Sequence, residues 1–226
     1  HISDSSQNIL TVEDPIEYTL PGIGQTQVNN KAGYDFASGL RSILRQDPDI
    51  VVVGEIRDIE TAKIAIQASL TGHLVLSTIH TNSAIGAIAR LRDMGIESYL
   101  LASSLRVVIA QRLVRRLCEE CKLAIKPSIS MQKEFQLNKN DSIFKAVGCT
   151  SCNNTGFKGR IALAECVNIS DELKALIHDE ASESSLRESA FRDNLSLESS
   201  SIQLLRAGLS SYEELARVQN HQDADL

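Results

Sequence analysis

The 226-residue chain is poor in several residue types, and each shortage argues against certain classes of function. It has no Trp and only 4% aromatic residues, so a stacking surface for single-stranded nucleic acid is not expected. It also has no basic excess, since 23 Lys and Arg face 29 Asp and Glu for a net charge of −6, which argues against general affinity for phosphates. No apolar run approaches the roughly 20 residues that cross a bilayer.

A phosphate-binding loop is missing as well. Such a loop requires Gly-x-x-x-x-Gly-Lys-Ser/Thr, because backbone N–H groups and a lysine together hold the phosphates. None of the 12 glycines of this chain is followed by Lys. The chain starts at His1, and its two methionines are Met94 and Met131. We therefore expect it to be an excerpt or a processed product.

Apolar runs and amphipathic segments alternate in the first hundred residues. Strands are predicted at 9–12, 50–53 and 74–79, and helices at about 35–45, 59–70, 84–94 and 98–113. Strands that alternate with helices predict a mostly parallel sheet covered on both faces, and hence an α/β fold. Beyond residue 160 a strand and four short amphipathic helices are predicted, with an acidic balance that is typical of a solvated helical face.

The five cysteines form the clearest chemical pattern. Two Cys-x-x-Cys pairs, Cys118 with Cys121 and Cys149 with Cys152, are separated by 27 residues. Four thiolates complete a tetrahedral shell that suits a structural Zn²⁺ and leaves no open position. Two disulfides or four unrelated thiols are the alternatives, and the odd cysteine count without an export signal favours zinc in a reducing compartment. Cys166 is predicted to be an inert core residue.

Acidic side chains follow two of the predicted strands. Glu13, Asp14 and Glu17 come after the first strand, and Glu55 comes after the apolar run that ends at Val53. In an open α/β sheet, sites form beyond the carboxyl ends of the strands, so these carboxylates are expected to converge. A carboxylate in this place can hold a Mg²⁺-bound water or polarise an attacking water. The alternative is that these carboxylates cap the helices that follow.

Two histidines flank the third predicted strand. His80 comes just past its carboxyl end, within a polar group formed with Thr78, Thr81 and Asn82. That position favours a role in the same site as the carboxylates. His73 precedes the strand, and a structural hydrogen bond is as plausible for it as a place in the site.

Three sequence strings resemble the motifs of the secretion ATPases. Residues 11–17 are similar to their Asp box, residues 44–58 to their Walker B motif, and residues 71–82 to their His box. The four paired cysteines resemble the zinc element of the type II secretion and type IV pilus assembly branches. Residues 22–29 and 90–95 resemble the type II secretion branch more than the pilus assembly branch.

The resemblance implies a RecA-like P-loop NTPase core, ATP hydrolysis with Mg²⁺ and a hexameric ring. It implies that Glu13 and Glu55 position or activate water and that His80 senses the γ-phosphate. The residues it assigns to the nucleotide and Mg²⁺ side of the site are Asp14, Glu17, Arg57, Asp58 and His73. It also implies docking to inner-membrane platform proteins, through which hydrolysis drives pseudopilus assembly, and hence a cytoplasmic protein that is peripheral at that membrane.

The resemblance also predicts how the chain is organised. Residues 1–117 are expected to form a truncated RecA-like core, residues 118–160 the tetracysteine zinc element, and residues 161–226 a C-terminal helical subdomain. Family members carry the phosphate-binding loop just upstream of the strand that ends in the Asp box. We therefore expect this chain to begin after that loop and not to hydrolyse ATP by itself.

Two other functions stay open at this point. One is a pilus assembly ATPase, with the same chemistry in a different machine. The other is a chain without a phosphate-binding loop that serves as a zinc-stapled interaction module. A basic cluster surrounds the first cysteine pair and could contact nucleic acid, anionic lipid or an acidic partner, of which we favour a protein contact and expect no nucleic acid: Arg106, Arg112, Arg115, Arg116, Lys122 and Lys126.

Overall fold

The computed structural model describes residues 6–223, which form two compact units. The first unit contains the described residues up to Thr81 together with 85–106 and 169–189, and the second contains 82–84, 107–168 and the residues from Ala190 onward. The division predicted from the sequence consists of three consecutive segments, whereas each of these units is built from segments that are not contiguous in the chain. The predicted boundaries at residues 117 and 160 stay a prediction.

Strands and helices make up both units. The strands are β1 (Ile9–Glu13), β2 (Gly24–Gln27), β3 (Ile50–Val53), β4 (Leu74–Ser77), β5 (Val107–Leu117), β6 (Leu123–Ile125), β7 (Ile143–Lys145) and β8 (Phe157–Asn168). The helices are α1 (Phe36–Ile43), α2 (Ile59–Leu70), α3 (Ala84–Asp93), α4 (Ser98–Ser104), α5 (Ile129–Glu134), α6 (Asp171–His178), α7 (Glu183–Asp193), α8 (Leu197–Arg206) and α9 (Tyr212–Asp223). Among residues 6–223 no helix has the length and apolar character that crossing a membrane requires.

The first unit is built on a parallel sheet, as the alternation of strands and helices predicts. Its four strands lie in the order β2-β1-β3-β4, and all neighbours are parallel. The register aligns Val12 with Val53 and Val53 with Ser77, so the carboxyl ends of β1, β3 and β4 meet at one edge. Strand β2 was not predicted, because Gly24–Gln27 carries no apolar run.

One face of this sheet is closed by α1 and α2. Val12, Val51 and Val53 are fully buried there against Leu40 and Phe36. The opposite face is partly open at β4, where Leu74 and Leu76 are 47% and 42% exposed. The expected cover on both faces is therefore incomplete among the described residues.

The predicted helix over 98–113 is wrong in its second half. Helix α4 ends at Ser104, and β5 begins at Val107. Leu105, Ile109 and Leu113 recur every four residues, which imitates one face of a helix. The segment is instead extended, because β5 pairs with β8 in an antiparallel ribbon from Val107 opposite Asn168 to Leu117 opposite Phe157. Partners that are 40 to 61 residues away leave no trace in local periodicity.

The second unit is a ribbon with a helical cover. The face of the β5–β8 ribbon that carries Val114 and Leu163 packs against α8 and α9 in one buried cluster. The polar insert 133–142 was expected to be an excursion from the metal-held stem. It instead contributes Phe135 and Leu137, which are 0% and 6% exposed, to the same cluster.

A buried carboxylate joins α9 to the ribbon. The Glu214 side chain is 1% exposed and accepts hydrogen bonds from the Arg115 guanidinium at 2.7 and 3.0 Å, the Arg115 backbone N–H at 3.1 Å and Arg217 at 3.1 Å. Burial acts to raise the pKa of Glu214, but the bonds from Arg115 and Arg217 outweigh it and lower this pKa to about 2. The Arg115 guanidinium also stacks 4.1 Å from the ring centre of Phe157.

We expect Glu214→Gln to destabilise the protein by about 3 kcal/mol at pH 7, because two arginines lose their buried anion. The folded pKa lies below the ordinary value of 4.5, so the contribution is fully present above pH 4.5 and is lost as pH falls through about 2. Urea unfolding of parent and variant should therefore differ most at pH 7 and converge towards pH 2. The exposed neighbour is the control, and an equal loss in Glu213→Gln would contradict the assignment.

Candidate functional site

Glu55 is the centre of the polar cluster at the carboxyl edge of the sheet. It follows β3 by two residues, and its side chain is 12% exposed. Arg57 donates to Oε1, and Nε2 of His80 lies 2.8 Å from Oε2. The bond from Arg57 lowers the pKa of Glu55, partial burial opposes this, and the bond from His80 adds to the lowering. Glu55 is therefore ionised at neutral pH, and because a carboxylate only accepts, Nε2 of His80 carries the proton.

Glu13 is held at the end of β1 by two donors. Its Oε1 accepts from Oγ1 of Thr11 at 2.6 Å and from Nε2 of Gln25 at 2.9 Å. Gln25 also donates to the carbonyl of Tyr18 and accepts from the N–H of Leu20. Gln25 therefore fixes both Glu13 and the loop that follows it. The sequence analysis quoted Gln25 within a longer string but gave it no role, because its contacts come from the unpredicted strand β2.

Asp14 and Glu17 lie in the loop that follows Glu13, and both are exposed. Glu55, and to a smaller extent Asp14, raises the pKa of the Arg57 guanidinium. Asp14 is thus within electrostatic reach of Arg57, and the structure brings it to the same edge as Glu55. Glu17 stays solvent-exposed in this loop.

Two of the predicted site residues have structural contacts instead. Both oxygens of Asp58 are engaged by Thr61, from its backbone N–H at 2.8 Å and its hydroxyl at 2.9 Å, which caps the start of α2. Nδ1 of His73 lies 2.9 Å from the carbonyl of Ala68 at the end of α2. His73 precedes β4, at the opposite end of that strand from His80, so the structure does not bring it to the carboxylates.

The His80 segment is joined to the Glu55 segment through Thr78. The Thr78 hydroxyl donates to the carbonyl of Gly54 at 2.7 Å, and its carbonyl accepts from the N–H of Ile56 at 2.9 Å. These bonds continue the pairing of β3 with β4 past the last ladder residues. They explain why the two segments stay close enough for His80 to reach Glu55.

The four paired cysteines meet in one cluster in the second unit. Cys118 and Cys121 lie between β5 and β6, and Cys149 and Cys152 lie between β7 and β8. Their sulfur atoms all lie within 4.8 Å of one another, and three of the separations are 3.8 to 3.9 Å. A tetrahedral ion with ~2.3 Å bonds to sulfur has sulfur–sulfur edges of ~3.8 Å. The donor set therefore fits a tetrahedral metal ion, and all four cysteines are free of disulfides.

Backbone N–H groups point at the sulfurs of this cluster. Gly148 donates to Cys121 at 3.3 Å, and Cys149 and Gly156 each donate to Cys152 at 3.2 Å. Such donors stabilise thiolates. Gly156 has φ +76°, and a Cβ there would lie 2.6 Å from that of Ala146, so only glycine places this N–H on the sulfur without strain. Cys166 lies outside the cluster, half-buried on β8 opposite Ile109.

Comparison with known proteins now identifies the family. The profile described as "Type II/IV secretion system protein" matches residues 1–217. The chain belongs to this family. It is 51% identical over 219 residues to "Type II secretion system ATPase E" of Vibrio cholerae serotype O1 and 52% identical over 222 residues to "Type II secretion system protein E" of Pseudomonas aeruginosa. Each match covers 96% of this chain and 44% of the relative, so the chain spans less than half of those proteins.

Two solved structures have a fold similar to that of this chain. The pilus retraction motor PilT with bound ADP superimposes with a TM-score of 0.68 at 26% identity, covering 94% of this chain and 52% of that one. The ATPase DotB of Legionella pneumophila gives a TM-score of 0.68 at 21% identity, covering 97% of this chain and 53% of that one, which shows likeness of fold. This chain therefore has an α/β fold with a parallel sheet, similar to the fold of these two proteins, and its second unit contains the tetracysteine cluster.

We expect Cys121→Ser to lose a tightly bound metal ion, because three thiolates leave the tetrahedral shell open. The loss should lower the melting temperature of the protein, and chelation of the parent should lower it by a similar amount. Metal content by mass spectrometry checks this, with one ion per chain expected in the parent. Cys166→Ser is the matched control and should keep its metal, whereas a metal-free parent of unchanged stability would contradict the site.

Proposed function

We propose that this chain is the C-terminal part of a type II secretion ATPase, in which Mg²⁺-dependent ATP hydrolysis by a RecA-like core drives pseudopilus assembly. The observation that carries the proposal is Glu55, an ionised carboxylate past a buried parallel strand, held by Arg57 and His80. The identity of about 50% to proteins named for type II secretion supports the same function.

In this proposal the carboxylates at the sheet edge have two roles, which are to position the attacking water and to bind Mg²⁺. Glu55 accepts a hydrogen bond from the attacking water, and Glu13, oriented by Thr11 and Gln25, positions it. Asp14 and Glu17 offer the carboxylate oxygens that Mg²⁺ prefers, and the ion when bound neutralises phosphate charge.

The remaining residues frame the site. His80 is 86% exposed, so its imidazole can exchange its bond to Glu55 for one to a γ-phosphate while its backbone stays in place. Arg57 adds a cation that balances Glu55, and Asp58 fixes the start of α2 directly after it. His73 lies at the other end of β4, where its contact with the Ala68 carbonyl gives it a structural role.

We further propose that the tetracysteine cluster holds a structural Zn²⁺. Four sulfurs at tetrahedral spacing fill the coordination shell and leave no position for substrate. The ion would join the ends of the two antiparallel strand pairs, β5–β8 and β6–β7, and so stabilise the second unit.

The assembly we propose is a cytoplasmic hexameric ring docked to inner-membrane platform proteins. The net charge of −6 supports a protein partner rather than nucleic acid. Several basic side chains near the first cysteine pair also have partners within the chain, and two of these partners are carboxylates. Arg115 is bound by Glu214, Arg116 and Lys122 by Glu119, and Lys126 by the carbonyl of Asn140.

Two alternatives make different predictions. A pilus assembly ATPase would share the whole site, but the relatives with about 50% identity carry type II secretion names. An interaction module without ATPase activity would keep the cysteine cluster. It would not require the pairing of Glu55 with Arg57 and His80. Assay of the intact protein separates that module from either ATPase.

We expect Glu55→Gln in the intact protein to lower kcat for ATP by 10²- to 10⁴-fold, because an amide cannot take a proton from the attacking water. Nucleotide binding should be preserved, since the change alters one oxygen and no volume. Steady-state ATPase assays and a fluorescent-nucleotide titration measure the two effects. Glu60→Gln, an exposed carboxylate on α2, is the control, and a Glu55→Gln variant with parental kcat would contradict the role.

We also expect the 226-residue chain alone to show no ATP turnover, because it holds the carboxylate side of the site and no Gly-x-x-x-x-Gly-Lys-Ser/Thr loop. The measurement is phosphate release by the purified chain at millimolar MgATP, beside the intact protein. Turnover by the chain that disappears in its own Glu55→Gln variant would refute this expectation.

A further inference from the structure

We propose that Gln25 is a positioning residue that couples the carboxylate of Glu13 to the loop that carries Asp14 and Glu17. The inference rests on the proposed ATPase function and adds to it that one amide aligns the water-positioning carboxylate with the carboxylates that bind Mg²⁺. It follows from the contacts that Gln25 makes from β2, and every residue involved belongs to the first unit.

Glu13 is held from one side only. Gln25 lies opposite Thr11 in the β1–β2 register, and Glu13 follows Thr11 by two residues on the same face of the sheet. Nε2 of Gln25 and Oγ1 of Thr11 both donate to Oε1 of Glu13, at 2.9 and 2.6 Å. Neither donor engages Oε2. Two donors on one oxygen fix the orientation of the carboxylate and leave the other oxygen for the attacking water.

The Gln25 amide has a single orientation that suits its neighbours. Its Oε1 accepts from the N–H of Leu20 at 2.7 Å, while Nε2 donates to the carbonyl of Tyr18 at 3.0 Å as well as to Glu13. An amide turned over would set its oxygen against two acceptors and its nitrogen against a donor. This position therefore requires a side chain that donates and accepts at once, which neither a glutamate carboxylate nor a lysine does.

The loop between β1 and β2, residues 14–23, contains neither helix nor strand. Tyr18 and Leu20 are 80% and 48% exposed, so packing of these two side chains does not hold the loop. The N–H of Ile16 lies 3.5 Å from Oε1 of Gln27, which is at the long limit for a hydrogen bond. The loop therefore depends on its shorter bonds to the amide on β2.

Gln25 brackets the two carboxylates of this loop. It is bonded to Glu13 directly before Asp14 and to the Tyr18 carbonyl directly after Glu17. In the proposed function Glu13 positions water, and the two bracketed carboxylates offer oxygens to Mg²⁺. Water and metal must keep a fixed relation to the phosphate during the reaction. A displaced Gln25 amide would disturb both together.

Two variants of the intact protein separate this joint role from support of Glu13 alone. Gln25→Met keeps the length of the side chain and loses every hydrogen bond. Thr11→Val removes the other donor to Glu13 and touches no residue of the loop. We expect kcat for ATP to fall about tenfold in Gln25→Met and about threefold in Thr11→Val, since misplacing a catalytic group costs up to ~10²-fold.

Metal binding is the readout that support of Glu13 alone would not move. Mn²⁺, which prefers the same oxygen ligands as Mg²⁺, is titrated into the ADP-loaded intact protein, and free Mn²⁺ is measured by electron paramagnetic resonance. We expect the Kd for Mn²⁺ to rise about tenfold in Gln25→Met and to stay within about twofold in Thr11→Val, because loss of an outer support costs roughly 10- to 100-fold in metal affinity.

Matched variants complete the design. Gln67→Met replaces an exposed glutamine on α2 and should keep the parental kcat and Kd. If Gln25→Met does not fold, Gln25→Asn takes its place. That variant keeps the amide but is one methylene shorter, so it cannot reach Glu13 and Leu20 together, and it should show both losses. Melting temperatures report whether each variant is folded.

Three results would overturn the inference and leave the ATPase proposal intact. They are a parental kcat in a folded Gln25 variant, a parental Kd for Mn²⁺ in that variant, and an equal rise of this Kd in Thr11→Val. An intact parent that does not hydrolyse ATP would overturn the proposed function and this inference with it.

Discussion

The parallel register of β1, β3 and β4 is the constraint on which the candidate site depends. A parallel ladder aligns strand ends, so residues that are 24 to 41 positions apart in sequence arrive together once Val12, Val53 and Ser77 are in register. Because the face towards α1 and α2 is fully buried, a slip of one residue would remove three valines from the core that this face forms with the two helices. The sheet therefore brings the backbone positions of Glu13, Glu55 and His80 to one edge independently of the side-chain contacts among them.

The second unit obeys a different constraint. Its ribbon is long, and its buried cluster is completed by α8, α9 and the insert that carries Phe135. Both ends of the insert lead to cysteine pairs, so the same four sulfurs that fit a metal ion also set where the insert leaves and rejoins the ribbon. The carboxylate of Glu214 then ties α9 to β5 from inside. The cysteine cluster, the apolar cluster and the buried pair of Glu214 with Arg115 thus all stabilise the second unit.

The sequence predicted the parallel sheet well and the rest unevenly. Ile50–Val53 and Ile59–Leu70 were predictable because a fully buried strand and an amphipathic helix each have a distinct local pattern. β5 was mistaken for a helix because its pairing partner is distant, and Phe135 was overlooked because it lies among polar residues. Likewise, the contact of His80 with Glu55 could be anticipated from strand ends, whereas the cap made by Asp58 and the bond from His73 to Ala68 depend on side-chain geometry.

The β5–β8 ribbon has a consequence for the order in which the protein folds. Val107 and Asn168 are partners across the chain, so the ribbon cannot begin to form during synthesis until its second strand has been made. A metal ion held by Cys118, Cys121, Cys149 and Cys152 would close most of that loop in advance, and loop closure is the entropic cost of pairing distant strands. The supply of metal in the cell would then set the rate at which new chains mature, in addition to their final stability.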